Sequence, residues 1–325
     1  MVNRRDFIAK GSLALVAGSL LSPLRAAAAE NTVAPSLSAP VRSGPAPFEI
    51  AAFEKHFFEK YTPSELAQTC DEMDLGVELT LRPEGHINPA HAAQELPIMV
   101  AALAERKRRI LFLATSFVRP DEPHLETALK AARDAGIRYY RHRGYSYRRG
   151  VSIKSQLAEF KRQAREFAAI SKEFGLTALY QNHSGANAVG AAVWDLDAML
   201  DDIDPRYFGV ALDTRHLQVE LGESWPSALR MISPRIQALY VKSFVWQRDH
   251  PVETSLADGI VSNSVIDQVL ADHPRLPVCL HNEYLKLEPV PFAARAATVD
   301  AFRRDADILR HWLKGPVQRT PRGLG

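Results

Sequence analysis

From Phe48 onward the chain alternates short apolar runs with longer amphipathic ones, and it does so eight times. The apolar runs span 48–53, 76–81, 109–115, 137–141, 177–181, 207–213, 236–243 and 276–283. The stretches that follow them, 63–74, 91–107, 124–135, 152–174, 192–203, 224–233, 262–273 and 296–313, have the spacing of helices with one buried face. Local signals agree. Thr62-Pro63-Ser64-Glu65 places a capping residue before a proline at the first helical position. Gly136 and Gly175 stand just past helix ends, where a left-handed residue is wanted. Eight strand–helix units in about 270 residues is the count and size of a (β/α)8 TIM barrel. An open, doubly wound sheet would want a glycine-rich turn after the first strand, and Glu54-Lys55-His56 is not one. HExxH, GxSxG and nucleotide-loop motifs are absent. The predicted class is α/β, with one barrel domain over 48–315 and a tail over 316–325.

The residues before the barrel have another character. Residues 1–29 open with Arg4-Arg5-Asp6-Phe7-Ile8, continue through a weakly apolar stretch over 11–21, and end in the small residues Ala26 to Ala29. That is the order of a twin-arginine export signal. Its apolar stretch is about half the ~20 residues that span a bilayer, so no stable membrane anchor is expected. Residues 30–47, rich in Pro, Ala and Ser, read as a linker. The expected location is the periplasm or another extracytoplasmic space.

Lys and Arg number 40 and Asp and Glu 38. Arg4, Arg5, Lys10 and Arg25 all fall in the signal, against the single Asp6, so the remainder is slightly acidic. That opposes a nucleic-acid partner. Two cysteines, Cys70 and Cys279, cannot build a disulfide framework or a cysteine metal site. Cys279 lies in the apolar run from Leu276 to Leu280 and reads as a core thiol.

A TIM barrel carries its chemistry at the C-terminal ends of its strands. Side chains alternate between faces along a strand. This puts Gln181 with His183 on one face, Ala211 with Asp213, Tyr240 with Lys242, and Cys279 with His281 and Glu283. The barrel mouth is thus expected to gather Gln181, His183, Asp213, His216, Lys242, His281 and Glu283. The second and fourth strand ends add Arg82, His86, Arg141 and Arg143, and the three arginines could clamp a carboxylate or phosphate.

The segments Gly76-Val77-Glu78-Leu79, Gln181-Asn182-His183-Ser184-Gly185, Asp213-Thr214-Arg215-His216, Tyr240-Val241-Lys242-Ser243-Phe244 and His281-Asn282-Glu283-Tyr284 carry a resemblance. Over most of the barrel the chain resembles the xylose-isomerase-like TIM barrels, which include sugar-phosphate isomerases and epimerases, inosose dehydratases and endonuclease-IV-like enzymes. The resemblance implies a divalent metal (Mn²⁺, Mg²⁺, Co²⁺ or Zn²⁺) held by Glu, Asp, His and Glu from strands five to eight. It also implies two glutamates that move a proton beside a sugar carbonyl. This chain departs from that pattern twice, with Gln181 at the first Glu position and Tyr240 at the His position. The implied metal set is therefore Asp213, Glu283, Gln181 and His216. It is a degenerate set, because Gln is a weak neutral ligand and a protonated Lys242 repels a cation.

The function expected from these residues is that of a sugar isomerase or epimerase acting next to a carbonyl. Glu283 is the base, with Lys242 and His216 as further catalytic groups. Arg82, His86, Arg141, His183 and His281 are expected to bind substrate. Lys242 could serve as an electrophile, or as a Schiff-base amine if burial lowers its pKa. Two alternatives stay open: a lyase or dehydratase on a keto sugar, and a non-catalytic carbohydrate-binding relic. The expected partner is a small-molecule sugar, and a homo-oligomer is left open.

Overall fold

The computed structural model describes residues 48–315. The expected signal (1–29), the expected linker through residue 47 and the expected tail (316–325) lie outside the described residues. The barrel strands are β1 (Ile50–Phe53), β2 (Gly76–Leu81), β3 (Ile110–Thr115), β4 (Tyr139–His142), β5 (Thr177–Gln181), β6 (Phe208–Asp213) and β7 (Ile236–Val241). A hairpin of β8 (Ser243–Gln247) and β9 (His250–Thr254) follows, and β10 (Val278–Leu280) completes the barrel. The eight barrel strands pair in parallel, and β10 closes on β1 with Ile50 opposite Val278. The helices are α1 (Pro63–Met73), α2 (Ala92–Glu105), α3 (Leu125–Asp134), α4 (Ile153–Phe174), α5 (Trp194–Leu200), α6 (Thr214–Leu221), α7 (Trp225–Ile232), α8 (Asn263–Asp272) and α9 (Ala296–Trp312). None of the described helices is long and apolar enough to cross a membrane.

The expected caps form. Thr62 Oγ1 accepts from the Glu65 amide at 3.3 Å while the Thr62 amide donates back to Glu65 Oε2 at 2.8 Å. Gly175 ends α4 with φ of 69°. Three features differ from the sequence reading, one of them a helix it did not expect. The first is α6, which begins directly after β6 because Asp213 serves both elements: it is the last residue of the strand, and its carboxylate accepts the His216 amide at 3.0 Å. The second is the run expected over 236–243, which stops at Val241, and the chain then turns into the β8–β9 hairpin. The third is the last strand, only three residues long. His281 still donates its amide to Val241 O at 3.0 Å, but Leu285 N bonds Asn282 O at 3.1 Å, so Glu283 sits in a turn.

Alternation sorts the strand residues into two cores. Val77, Leu79, Leu239 and Val241 pack outward against the helices, while Phe53, Phe112, Leu179, Ala211, Tyr240 and Cys279 fill the barrel interior. Glu78 and Arg141 are buried as well. Ions in such a place persist only when paired and hydrogen-bonded, and their pairing organises the site.

Candidate active site

Glu78 lies fully buried on β2. Its carboxylate accepts from the Tyr240 hydroxyl at 2.7 Å and from the Cys279 thiol at 3.4 Å. Arg141 Nε stands 3.1 Å away. Arg141 also donates to Gln181 Oε1 and lies over the rings of Phe53 and Tyr240, 4.6 and 5.5 Å from their centroids. Gln181 Nε2 donates to Asp213 Oδ2 at 2.8 Å. Lys242 Nζ is 3.5 Å from that same oxygen and donates to Glu283 Oε2 at 2.6 Å. His281 joins the two ends of this chain: Nε2 is 3.3 Å from Glu78 Oε2, and Nδ1 is 3.9 Å from Glu283 Oε1. Its ring stacks on Phe53 at 4.5 Å. The result is a ring of alternating charge around the barrel axis, drawn from β2, β4, β5, β6, the end of β7 and the turn after β10.

The charges hold one another in their ionised forms. Burial alone would raise the pKa of Glu78, but Arg141 and His281 outweigh it and bring it down to about 2. For Glu283, burial likewise raises and Lys242 then lowers, again to about 2. Asp213 is held well below the ordinary carboxylate range, with His216 and Lys242 overcoming burial. Burial would lower the pKa of Lys242, yet Asp213 and Glu283 raise it above the ordinary lysine value. The condition for a Schiff-base amine is therefore not met, and Lys242 stands as an ammonium ion. His216 is pushed the other way, mainly by burial, with Asp213 opposing the shift. It bonds Ser184 Oγ through Nδ1 at 2.8 Å and packs on the exposed ring of His183 at 4.0 Å.

A cleft of about 350 Å³ opens over this network. Of the residues expected at the mouth, Arg82, Arg141, Gln181, His183, Lys242 and Glu283 line it. Asp213, His216 and His281 are buried and do not. The placement of His86 in the substrate site needs correction. Its Nδ1 contacts Glu54 Oε2 at 2.7 Å, while Glu54 Oε1 takes the Thr80 amide at 2.7 Å, so His86 ties the β1 and β2 ends together outside the cleft. Sequence reasoning missed two residues as site members. Glu78 was legible as a charge on the inward face of an apolar strand. Lys55, two residues past the inward Phe53, lines the cleft by the same parity.

The residues implied for a metal do not fit one as they stand. Gln181 spends its oxygen on Arg141 and turns its amide nitrogen toward Asp213. The Lys242 ammonium occupies the space between Asp213 and Glu283. Among the described residues one other group, Glu78, Cys279 and His281, brings ligand atoms within 4.8 Å of one another. There Arg141 and Tyr240 already satisfy the carboxylate, and burial pushes the Cys279 thiol far above its ordinary pKa, so it stays protonated. Titration of the wild-type protein with Mn²⁺ is accordingly expected to show no binding tighter than about 1 mM. Lys242→Ala, which leaves Asp213 and Glu283 without their cation, should bind Mn²⁺ at least tenfold more tightly. Tight stoichiometric Mn²⁺ on the wild type would refute this reading of the site.

Residues 122–267 match the family model described as the xylose isomerase-like TIM barrel. The fold is of that type. No curated protein sequence matches the chain. Among solved structures, 3-keto-D-glucoside 4-epimerase from E. coli is similar, with a TM-score of 0.60 and 12% identity over 80% of this chain and 99% of that one. D-allulose 3-epimerase from Methylomonas sp. has a TM-score of 0.62 and 12% identity over 82% and 99%. A xylose isomerase-like TIM barrel protein from Mycobacterium smegmatis, in complex with magnesium, has a TM-score of 0.56 and 13% identity over 79% and 97%. At such identities the likeness is one of fold.

Proposed function

We propose that the protein is a sugar isomerase or epimerase that moves a proton at the carbon beside a carbonyl. The observation that carries this reading is the contact of a carboxylate and an ammonium, Glu283 and Lys242, at the edge of a sugar-sized cleft. Such chemistry needs a base for the carbon-bound proton and a positive group for the oxygen that gains charge. Before substrate enters, the two groups neutralise each other. When a carbonyl oxygen enters beside Lys242, the ammonium is shared with it. As the enediolate forms, the positive charge is drawn further from Glu283, whose basicity rises as the proton arrives. Asp213 keeps Lys242 charged throughout, and Gln181 keeps Asp213 in place. The named epimerases of the same fold support a sugar as the substrate.

The experiment is a screen of free and keto sugars in D₂O, followed by NMR for exchange at the carbon next to the carbonyl, with and without Mn²⁺. Exchange that is independent of the metal is expected. Elimination without exchange in the recovered substrate would favour the lyase alternative, and binding without any reaction would favour the relic. We further propose export by the twin-arginine route. Replacing Arg4 and Arg5 with lysine should leave the precursor in the cytoplasm, as fractionation would show, and normal export of that variant would disprove the route.

A further inference from the structure

Five cationic side chains line the cleft, Lys55, Arg82, Arg141, Arg143 and Lys242, and Glu283 is the one carboxylate that does. Two of the cations are matched from below, Arg141 by Glu78 and Lys242 by Asp213 and Glu283. The other three stand apart: among the described residues none has a carboxylate within ion-pair distance. They are not all freely solvated rim groups. Arg82 and Lys55 are only partly exposed, and Arg82 Nε is fixed to Ala114 O at 3.0 Å, which aims the rest of its fork. The three follow β1, β2 and β4, one arc of the barrel, whereas Lys242 and Glu283 follow β7 and β10. A ligand held on that arc by one end presents its other end to the reacting pair.

We infer that the cleft binds a sugar acid, whose carboxylate is held by Lys55, Arg82 and Arg143 while its carbonyl meets Lys242 and Glu283. An arginine fork and a carboxylate match in plane and spacing, and a cleft of this volume suits a small ligand. A carboxylate is assigned over a phosphate because, among the described residues, no helix N-terminus lines the cleft to cradle a phosphate dianion. The like charges also strain one another. Burial and then Arg141 bring Arg82 down to about 10, and burial followed by Arg82 and Arg141 lowers Lys55. A bound anion relieves both. The inference rests on the isomerase reading in taking the ligand for a sugar and in placing its carbonyl at Lys242 and Glu283.

The test is calorimetric titration of the full chain with D-glucuronate, D-glucose 6-phosphate and D-glucose, at low and high salt. Glucuronate is expected to bind at least tenfold more tightly than glucose and to weaken as salt is added. Lys55→Met/Arg82→Gln should lose at least tenfold for glucuronate and much less for glucose, with circular dichroism reporting whether the variant is folded. Arg143→Ala, at an exposed position, gives a second variant and should lose a smaller factor. Equal affinity for glucose and glucuronate, selection of the phosphate, no binding of glucuronate at 10 mM, or a double variant with unaltered glucuronate affinity would each overturn the inference. Binding is read here without turnover, so the two readings fail separately. Glucuronate preference without proton exchange sinks the isomerase alone, and exchange on a neutral sugar without anion preference sinks the sugar acid alone.

Discussion

Glu283→Gln is expected to lower turnover of the responding sugar by roughly 10²- to 10⁴-fold, the range for loss of a general base, while ligand affinity changes little. Glutamine keeps the shape of the side chain and an oxygen that can still accept from Lys242, so the 2.6 Å contact has a neutral successor. What it cannot do is take a proton from carbon. The loss should appear in kcat and kcat/KM alike, since the missing interaction is one made only as the proton moves. Lys242→Met should cost as much if the ammonium stabilises the enediolate, and it should do so without preventing ligand binding. A Glu283→Gln protein that exchanges the substrate proton at the wild-type rate would remove Glu283 from the mechanism and with it the proposed reaction.

Glu78→Ala is expected to destabilise the barrel by about 3–5 kcal/mol, the usual consequence of removing one partner from a buried ion pair. Arg141 is left in the interior with its charge facing an empty space, and Tyr240 and Cys279 lose the acceptor of their hydrogen bonds. Urea denaturation followed by circular dichroism measures it: the midpoint should fall with the slope little changed. A loss below about 1 kcal/mol, the level of an exposed pair, would mean that Arg141 finds other partners. The same carboxylate sets an acid limit on the fold. Its pKa falls from the ordinary 4.5 to about 2 on folding, so the unfolded chain takes up the proton first as pH drops. Its contribution is therefore complete above about pH 4.5 and is withdrawn between there and about pH 2. The Glu78→Ala variant should show a flatter decline of stability over that interval than the wild type.

Much of the site was legible from parity. Gln181, Asp213, Lys242, His281 and Glu283 were placed on inward faces by period-two alternation alone, and all five join the ring of charge. His86 went astray because a polar residue just past a strand end has two places to go, toward the cleft or toward a neighbouring loop. A buried Glu54, paired to Thr80, decided for the loop. Helix α6 was missed for a related reason: Asp213 was read for its chemistry, and its second use as a helix cap left no separate signal in a short segment.

The alternation of apolar and amphipathic runs determined the barrel, the helices around it and the inward direction of the strand-end side chains. All of these follow from backbone geometry repeated over neighbouring residues, which a linear sequence displays. Only the closed barrel decided which charges meet. Tyr240 reaches Glu78 across 162 residues of sequence, and Lys242 settles between Asp213 and Glu283 where the resemblance implied a metal. Those pairings depend on distances of a few ångströms across the barrel. In its low-dielectric interior, each ionised group must take the nearest opposite charge that the fold supplies.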